Sequence, residues 1–130
     1  MKSTLIREEL KPFFSFWKPA NIIITDLEYN DISADELREE IISIPADGDC
    51  DDYARELWCY LRHRHPQWPI GMCLLSKVAG IKTNHSMIIG SCTDGIYLIE
   101  PQAVFDIGLA GLQRMWKAHP TEDRFYFTYI

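Results

Sequence analysis

Asp47-Gly48-Asp49-Cys50-Asp51-Asp52-Tyr53-Ala54 is a turn that runs into a helix, and the rest of the chain can be read outward from it. Gly48 supplies the freedom for a tight turn, and Asp49 takes the N-cap position. From there Tyr53, Ala54, Leu57, Trp58 and Leu61 recur along one helical face, to about His63. Cys50 falls on that same side, in the first turn. Unpaired N–H groups and a partial positive charge at a helix start favour thiolate over thiol. The stretch therefore offers a candidate nucleophile facing the body of the protein, where a cleft can form between helix and sheet. Asp47, Asp49, Asp51 and Asp52 act against it, because carboxylates beside a thiol raise its pKa unless a cation offsets them.

Upstream, Pro45 breaks an earlier helix that opens at the capping box Ser33-Ala34-Asp35-Glu36 and runs to about Ser43. Asn21 to Asp26 reads as a short buried strand, and residues 4 to 17, with Phe13, Phe14, Phe16 and Trp17, as a short helix or arm over the core. Downstream, His63, Arg64 and His65 suit the negative end of the helix dipole, and Pro66 stops the helix. Strands are expected over Gly71 to Val78, Asn84 to Gly90 and Gly95 to Glu100. Gly108 to His119 reads as a helix around Leu109, Leu112, Met115 and Trp116, and Arg124 to Ile130 as a closing strand. No repeat or low-complexity linker interrupts this order. It predicts one α/β (α+β) domain over 1–130, with the Cys50 helix packed on an antiparallel sheet.

The last two of those strands permit a test of register. With Ser91-Cys92-Thr93-Asp94 as a four-residue connection, Gly90 faces Gly95, so Ile89 faces Ile96, Met87 faces Leu98 and His85 faces Glu100. Opposed residues have Cβ atoms about 4.5–5.5 Å apart, within reach of an imidazole-to-carboxylate hydrogen bond. A loop built on Asp94-Gly95 would instead slide Glu100 along the strand. A slip of one residue would put the pair on opposite faces.

Composition bounds the function. The chain has 130 residues, 47% of them hydrophobic, with a formal charge of −6, which suits a globular domain and disfavours nucleic acid or anionic membrane as partner. Its N-terminus shows no signal-peptide pattern and no stretch approaches a membrane span, so cytoplasmic localisation is expected. Cys50, Cys59, Cys73 and Cys92 show no CxxC spacing and read as free thiols, with Cys59 and Cys73 as packing residues.

Cys50, His85 and Glu100 thus form a candidate triad. Cys50 is the nucleophile, His85 the base that later protonates the leaving amine, and Glu100 the group fixing the His85 tautomer. The Cys50 N–H supplies one oxyanion donor. Asn21, Trp17, Tyr29 and the backbone amides of Ala46 to Asp49 remain open as the second.

Asp49-Cys50-Asp51-Asp52-Tyr53-Ala54, Asn84-His85-Ser86 and Tyr97-Leu98-Ile99-Glu100-Pro101-Gln102 resemble the cysteine, histidine and "IEPQ" blocks of the lectin MOA-related family, whose papain-like domain occurs in a mushroom agglutinin and in often phage-encoded relatives. Asp26-Leu27-Glu28-Tyr29 resembles that family's D-x-x-Y block, and the likeness covers roughly residues 22 to 105. More distantly the chain is similar to bacterial transglutaminase-like cysteine peptidases. The resemblance implies a papain-like fold, Cys50, His85 and Glu100 as triad, and peptidase activity dependent on a divalent cation such as Ca²⁺ or Mn²⁺. It also implies Asp52 and Gln102 as metal contacts. Met87 and Ile88 stand where relatives carry Asn or Trp after the His, and no sugar-binding repeat is present, so lectin activity is not expected.

The resulting expectation is a thiol hydrolase acting on a peptide or isopeptide amide, with acyl transfer as a close chemical neighbour. The alternative is a catalytically silent binding module, or phage accessory protein, that keeps the fold. A metal site of Cys50, Asp52 and His85 is a third reading.

Overall fold

The computed structural model describes residues 1–42, 47–102 and 114–130. Its elements are α1 (Ser3–Leu10), β1 (Ile22–Ile23), α2 (Ala34–Glu39), α3 (Cys50–Arg64), β2 (Ile70–Val78), β3 (Ile81–Cys92), β4 (Gly95–Ile99), β5 (Met115–Lys117) and β6 (Arg124–Tyr129). The strands form one six-stranded sheet in the order β1-β6-β2-β3-β4-β5. The architecture is α+β. The expected antiparallel sheet is in fact mixed, because β1 pairs in parallel with β6.

The sheet separates two apolar layers. On one face Ile6 and Leu10 of α1, with Phe13 just beyond, pack on Cys73, Leu75, Met87, Ile89, Leu98 and Phe125. On the other face Leu37 of α2 and Ala54, Leu57 and Leu61 of α3 pack on Ile70, Ile88, Ile99 and Met115. Each Leu or Ile so buried contributes about 1.5–3 kcal/mol. Side chains alternate across a strand, so residue parity along β3 says which layer each side chain enters.

The helices start where local chemistry dictates. Ser33 Oγ accepts the Glu36 N–H at 3.0 Å, the capping bond read from the sequence. At the head of α3 the Asp49 N–H donates to Asp52 Oδ2 at 3.0 Å, a bond that ties the N-cap backbone to the third helical residue. β2 and β3 join through Ala79 and Gly80, both with positive φ (46° and 85°), the two-residue turn that suits the twist of a hairpin. The buried carboxylate of Asp123 accepts the Ala79 N–H at 2.8 Å and holds that turn.

Four further expectations are corrected. The first strand shortens to Ile22–Ile23, since a 3₁₀ turn at Pro19–Asn21 occupies its start. α2 ends at Glu39. The sequence expected there to continue to Ser43, and Ser43 and Pro45 lie outside the described residues. Part of the expected C-terminal helix is strand: Met115, Trp116 and Lys117 pair with Ile99, Leu98 and Tyr97, tertiary pairing overriding a helical pattern. The remainder of that helix, through residue 113, lies outside the described residues.

The fourth correction concerns the hairpin. Gly90 faces Tyr97, Ile89 faces Leu98 and Cys92 faces Gly95, so β3 runs on through Ser91 and Cys92 and only Thr93-Asp94 forms the turn. The register lies two residues from the expected one. A slide of two conserves parity, so His85 and Glu100 remain on one face as diagonal neighbours, a separation that long side chains span. No helix among the described residues is long and apolar enough to cross a membrane.

Candidate functional site

Two groups of chemically capable side chains stand out, at the head of α3 and at the open end of the β3–β4 hairpin. Gly48 has φ +123°, and a Cβ there would lie 1.9 Å from Asp52 Oδ2, so a glycine is required for the turn to close on the helix. Behind it, Asp52 N–H and Tyr53 N–H donate to Asp49 O at 3.1 and 3.2 Å. The Arg55 guanidinium donates to Asp52 Oδ1 at 2.6 Å. The Asp49 N–H and then Arg55 hold the Asp52 carboxyl below its usual range. Asp49 behaves oppositely: its contact with the Asp51 carboxylate, then that group's charge, push its pKa up.

That crowding makes a candidate cation cluster. Ligand oxygens of Asp49, Asp51 and Asp52 all lie within 4.8 Å of one another, on an exposed turn. Oxygen donors so gathered suit a hard divalent cation, which would relieve the repulsion that raises Asp49. These residues form a set able to take such an ion. Asp52 was expected among the metal contacts. Asp49 and Asp51 are its neighbours in space as well as in sequence.

The second group is buried. His85 Nε2 and Glu100 Oε2 lie 2.5 Å apart, and each residue is 3% exposed. Glu100 Oε1 accepts the Gln102 N–H at 3.0 Å, so both carboxylate oxygens are engaged. Gln102 Oε1 is buried without a hydrogen-bond partner among the described residues, an acceptor that a donor or cation would satisfy. Arg114, which no sequence signal singled out, ties this end of the sheet together. Its Nε donates to Glu100 O at 3.2 Å, and its Nη2 to Pro101 O at 3.1 Å and to Ile42 O at 3.3 Å. Burial lowers its pKa against the opposing charge of Glu100.

The structure brings His85 and Glu100 together as a buried pair. His85 lies opposite Leu75 and shares the parity of Met87 and Ile89, which places it on the face covered by α1. Cys50, half-buried, begins α3, whose stripe packs on the opposite face through Ile88 and Ile99.

Other candidates resolve into structural roles. Asn21 Nδ2 donates to Tyr126 O, and Asn21 Oδ1 accepts the Lys18 N–H. Tyr29 OH accepts the Asp26 N–H and donates to Ile130 O. Asn21 and Tyr29 are thus engaged in structural bonds, with Tyr29 holding Asp26 to Ile130, whereas Trp17 Nε1, another of the open oxyanion donors, is buried with no hydrogen-bond partner among the described residues. His65 stacks on Trp68 with ring centroids 3.7 Å apart, and Arg64 pairs with Glu40 at 3.1 Å, as suits the C-terminal turn of a helix. Cys73 and Cys92 are buried, and burial pushes the Cys92 thiol up to about 12. Cys59, expected to pack, is exposed, because it lies off the Ala54, Leu57, Leu61 stripe. No protein-family model and no curated protein matches the chain.

Proposed function

We propose that this protein is a catalytically silent binding module of papain-like type, which holds a peptide or protein partner at the head of α3 through a divalent cation. The observation that carries the reading is the mutual approach of the Asp49, Asp51 and Asp52 oxygens within 4.8 Å on an exposed turn. Three carboxylates and no soft donor favour Ca²⁺, with Mn²⁺ as the alternative ion. A partner carboxylate or carbonyl would complete the coordination. The papain-like assignment rests on chain order: a cysteine at a helix head, then a histidine and a glutamate on adjacent strands.

Thermal unfolding with and without Ca²⁺ or Mn²⁺ tests the reading. Either ion should raise Tm by several °C at saturation. Asp51→Asn, which leaves the Asp49–Asp52 bond in place, should abolish the rise, and Cys50→Ala should leave both the rise and partner binding intact. Unchanged Tm in the native protein would sink the proposal.

The His85–Glu100 pair favours a second reading, hydrolysis of a peptide or isopeptide amide by Cys50. Nε2 bonded to the carboxylate makes Nδ1 the basic nitrogen, the tautomer a thiol-activating histidine needs. The reading further requires the Cys50 thiol to reach that nitrogen from the α3 side of the sheet. Iodoacetamide discriminates, with exposed Cys59 as the internal reference. Hydrolysis predicts that Cys50 reacts well ahead of Cys59 near neutral pH and that His85→Gln removes the difference. Equal rates for the two thiols would exclude it.

A further inference from the structure

We propose that the outer edge of β5 binds an extended peptide as an added strand and holds the peptide's C-terminal carboxylate between Arg38 and Arg114. β5 ends the sheet and is paired on one side with β4. The Glu100 N–H donates to Arg114 O at 2.7 Å, and the Ala118 N–H to Ile96 O at 2.8 Å. Antiparallel pairs alternate between bonded and non-bonded, so Leu98 and Trp116 form the bonded pair between these two. The N–H and C=O groups of Met115 and Lys117 therefore point away from β4. Among the described residues no backbone group bonds to them. Such an edge is a template for another strand, with main-chain bonds supplying affinity and neighbouring pockets supplying selectivity.

A hollow beside that edge selects the peptide. Arg38 of α2 and Ile41 just beyond it meet Arg114 and Met115 around an open space of about 240 Å³. It lies between two elements, on the face where Ile41 and Met115 join the layer under α3. Sites for small organic ligands run to roughly 300–1,000 Å³, so this one suits a single residue of a chain. Its walls combine two guanidinium groups with two apolar side chains, which together fit a carboxylate carried by an apolar residue. Arg114 is set in place by Glu100 O, Pro101 O and Ile42 O. Arg38 donates to Asp35 Oδ1 at 2.7 Å in an exposed ion pair, a weak contact that yields to an incoming carboxylate. Direction agrees with chemistry. A strand added antiparallel to β5 ends beside the start of β5, so its terminal carboxylate arrives where Arg114 stands. This edge lies beyond the cation cluster at the head of α3 and needs no metal.

The probe is an N-terminally labelled heptapeptide of alternating Thr and Val with a final Leu and a free carboxylate, titrated with the full-length protein and followed by fluorescence anisotropy. It should bind saturably. Capping its terminus as the amide should weaken binding by at least about tenfold, and Arg38→Gln should weaken the free acid similarly while leaving the amide unchanged. Lys117→Pro removes an edge donor without touching a bond to β4, so it should abolish binding with the circular dichroism unchanged. N-methylation of successive probe residues should abolish binding at one parity and spare it at the other, a pattern that only strand pairing produces. A probe that does not bind, an amide that binds as well as the acid, binding that survives Lys117→Pro, or N-methyl effects without parity would each overturn the site. Binding should persist in EDTA and in Asp51→Asn, and a requirement for Ca²⁺ would also overturn it. Failure of this proposal and failure of the cation-bridged module therefore read out separately.

Discussion

The head of α3 and the end of the β3–β4 hairpin both gather ionisable side chains, but they do so in opposite ways. Asp49, Asp51 and Asp52 crowd like charges on an exposed turn, so that Asp49 is driven up while Asp52 is held down by its N–H and guanidinium partners. His85 and Glu100 bury unlike groups in contact, with each carboxylate oxygen satisfied. The first arrangement crowds like charges that a cation could offset. The second is closed and resists change. A repulsive cluster at a surface invites a ligand, whereas a satisfied buried pair is as readily a part of the core as of a catalytic apparatus.

The comparison breaks most visibly at the buried pair. Glu100→Ala or His85→Ala breaks the buried pair and should cost about 3–5 kcal/mol in urea unfolding, whereas replacing both by apolar residues of similar volume should recover much of that loss. If the single variants unfold like the native protein, the pair is not the closed element described here. Next in size is Gly48→Ala. A left-handed φ and a methyl 1.9 Å from Asp52 Oδ2 should together cost about 1–3 kcal/mol and displace the Asp52 carboxylate, with loss of the Ca²⁺ response in the same sample.

A smaller effect separates the regions by pH. Asp49 has a raised pKa, so protons compete with a cation for its carboxylate, and the Ca²⁺-induced rise in Tm should shrink as pH falls toward the carboxylate range. Asp52 has a lowered pKa, so the stability it contributes is present above its unfolded value and is lost as pH falls through the folded one. Acid titration of Tm with and without Ca²⁺ should show the two curves converging at low pH. Curves that stay parallel would remove Asp49 from the cation site. The smallest effect is that of Arg55→Ala, which breaks an exposed ion pair and should lower Tm by less than roughly 3 °C while strengthening the Ca²⁺ response, because Asp52 loses a competitor.

Much of the fold was legible wherever local chemistry decides. Ser33 before Glu36 and Asp49 as N-cap behind Gly48 placed two helix starts, and the Ala54, Leu57, Leu61 stripe placed the buried face of α3. The Met115–Lys117 strand was not legible, because Met115 and Trp116 fit a helical pattern until β4 offers them an edge. Cys59 was misread as packing because it flanks the stripe by one position, and Arg114 gave no signal because its work is done by hydrogen bonds to carbonyls distant in sequence.

The sequence by itself determined that α3 begins at Cys50 behind an acidic turn, and that His85 and Glu100 share a face. Both follow from short-range rules: capping acts over three residues, and a period of two survives a register slide of two. Which face receives α3 was decided by the tertiary structure alone. The residues from His85 to Cys92 are buried on both sides of the sheet. A strand with two apolar faces carries no mark of inside and outside, and only the packing of α1 against one and α3 against the other tells them apart.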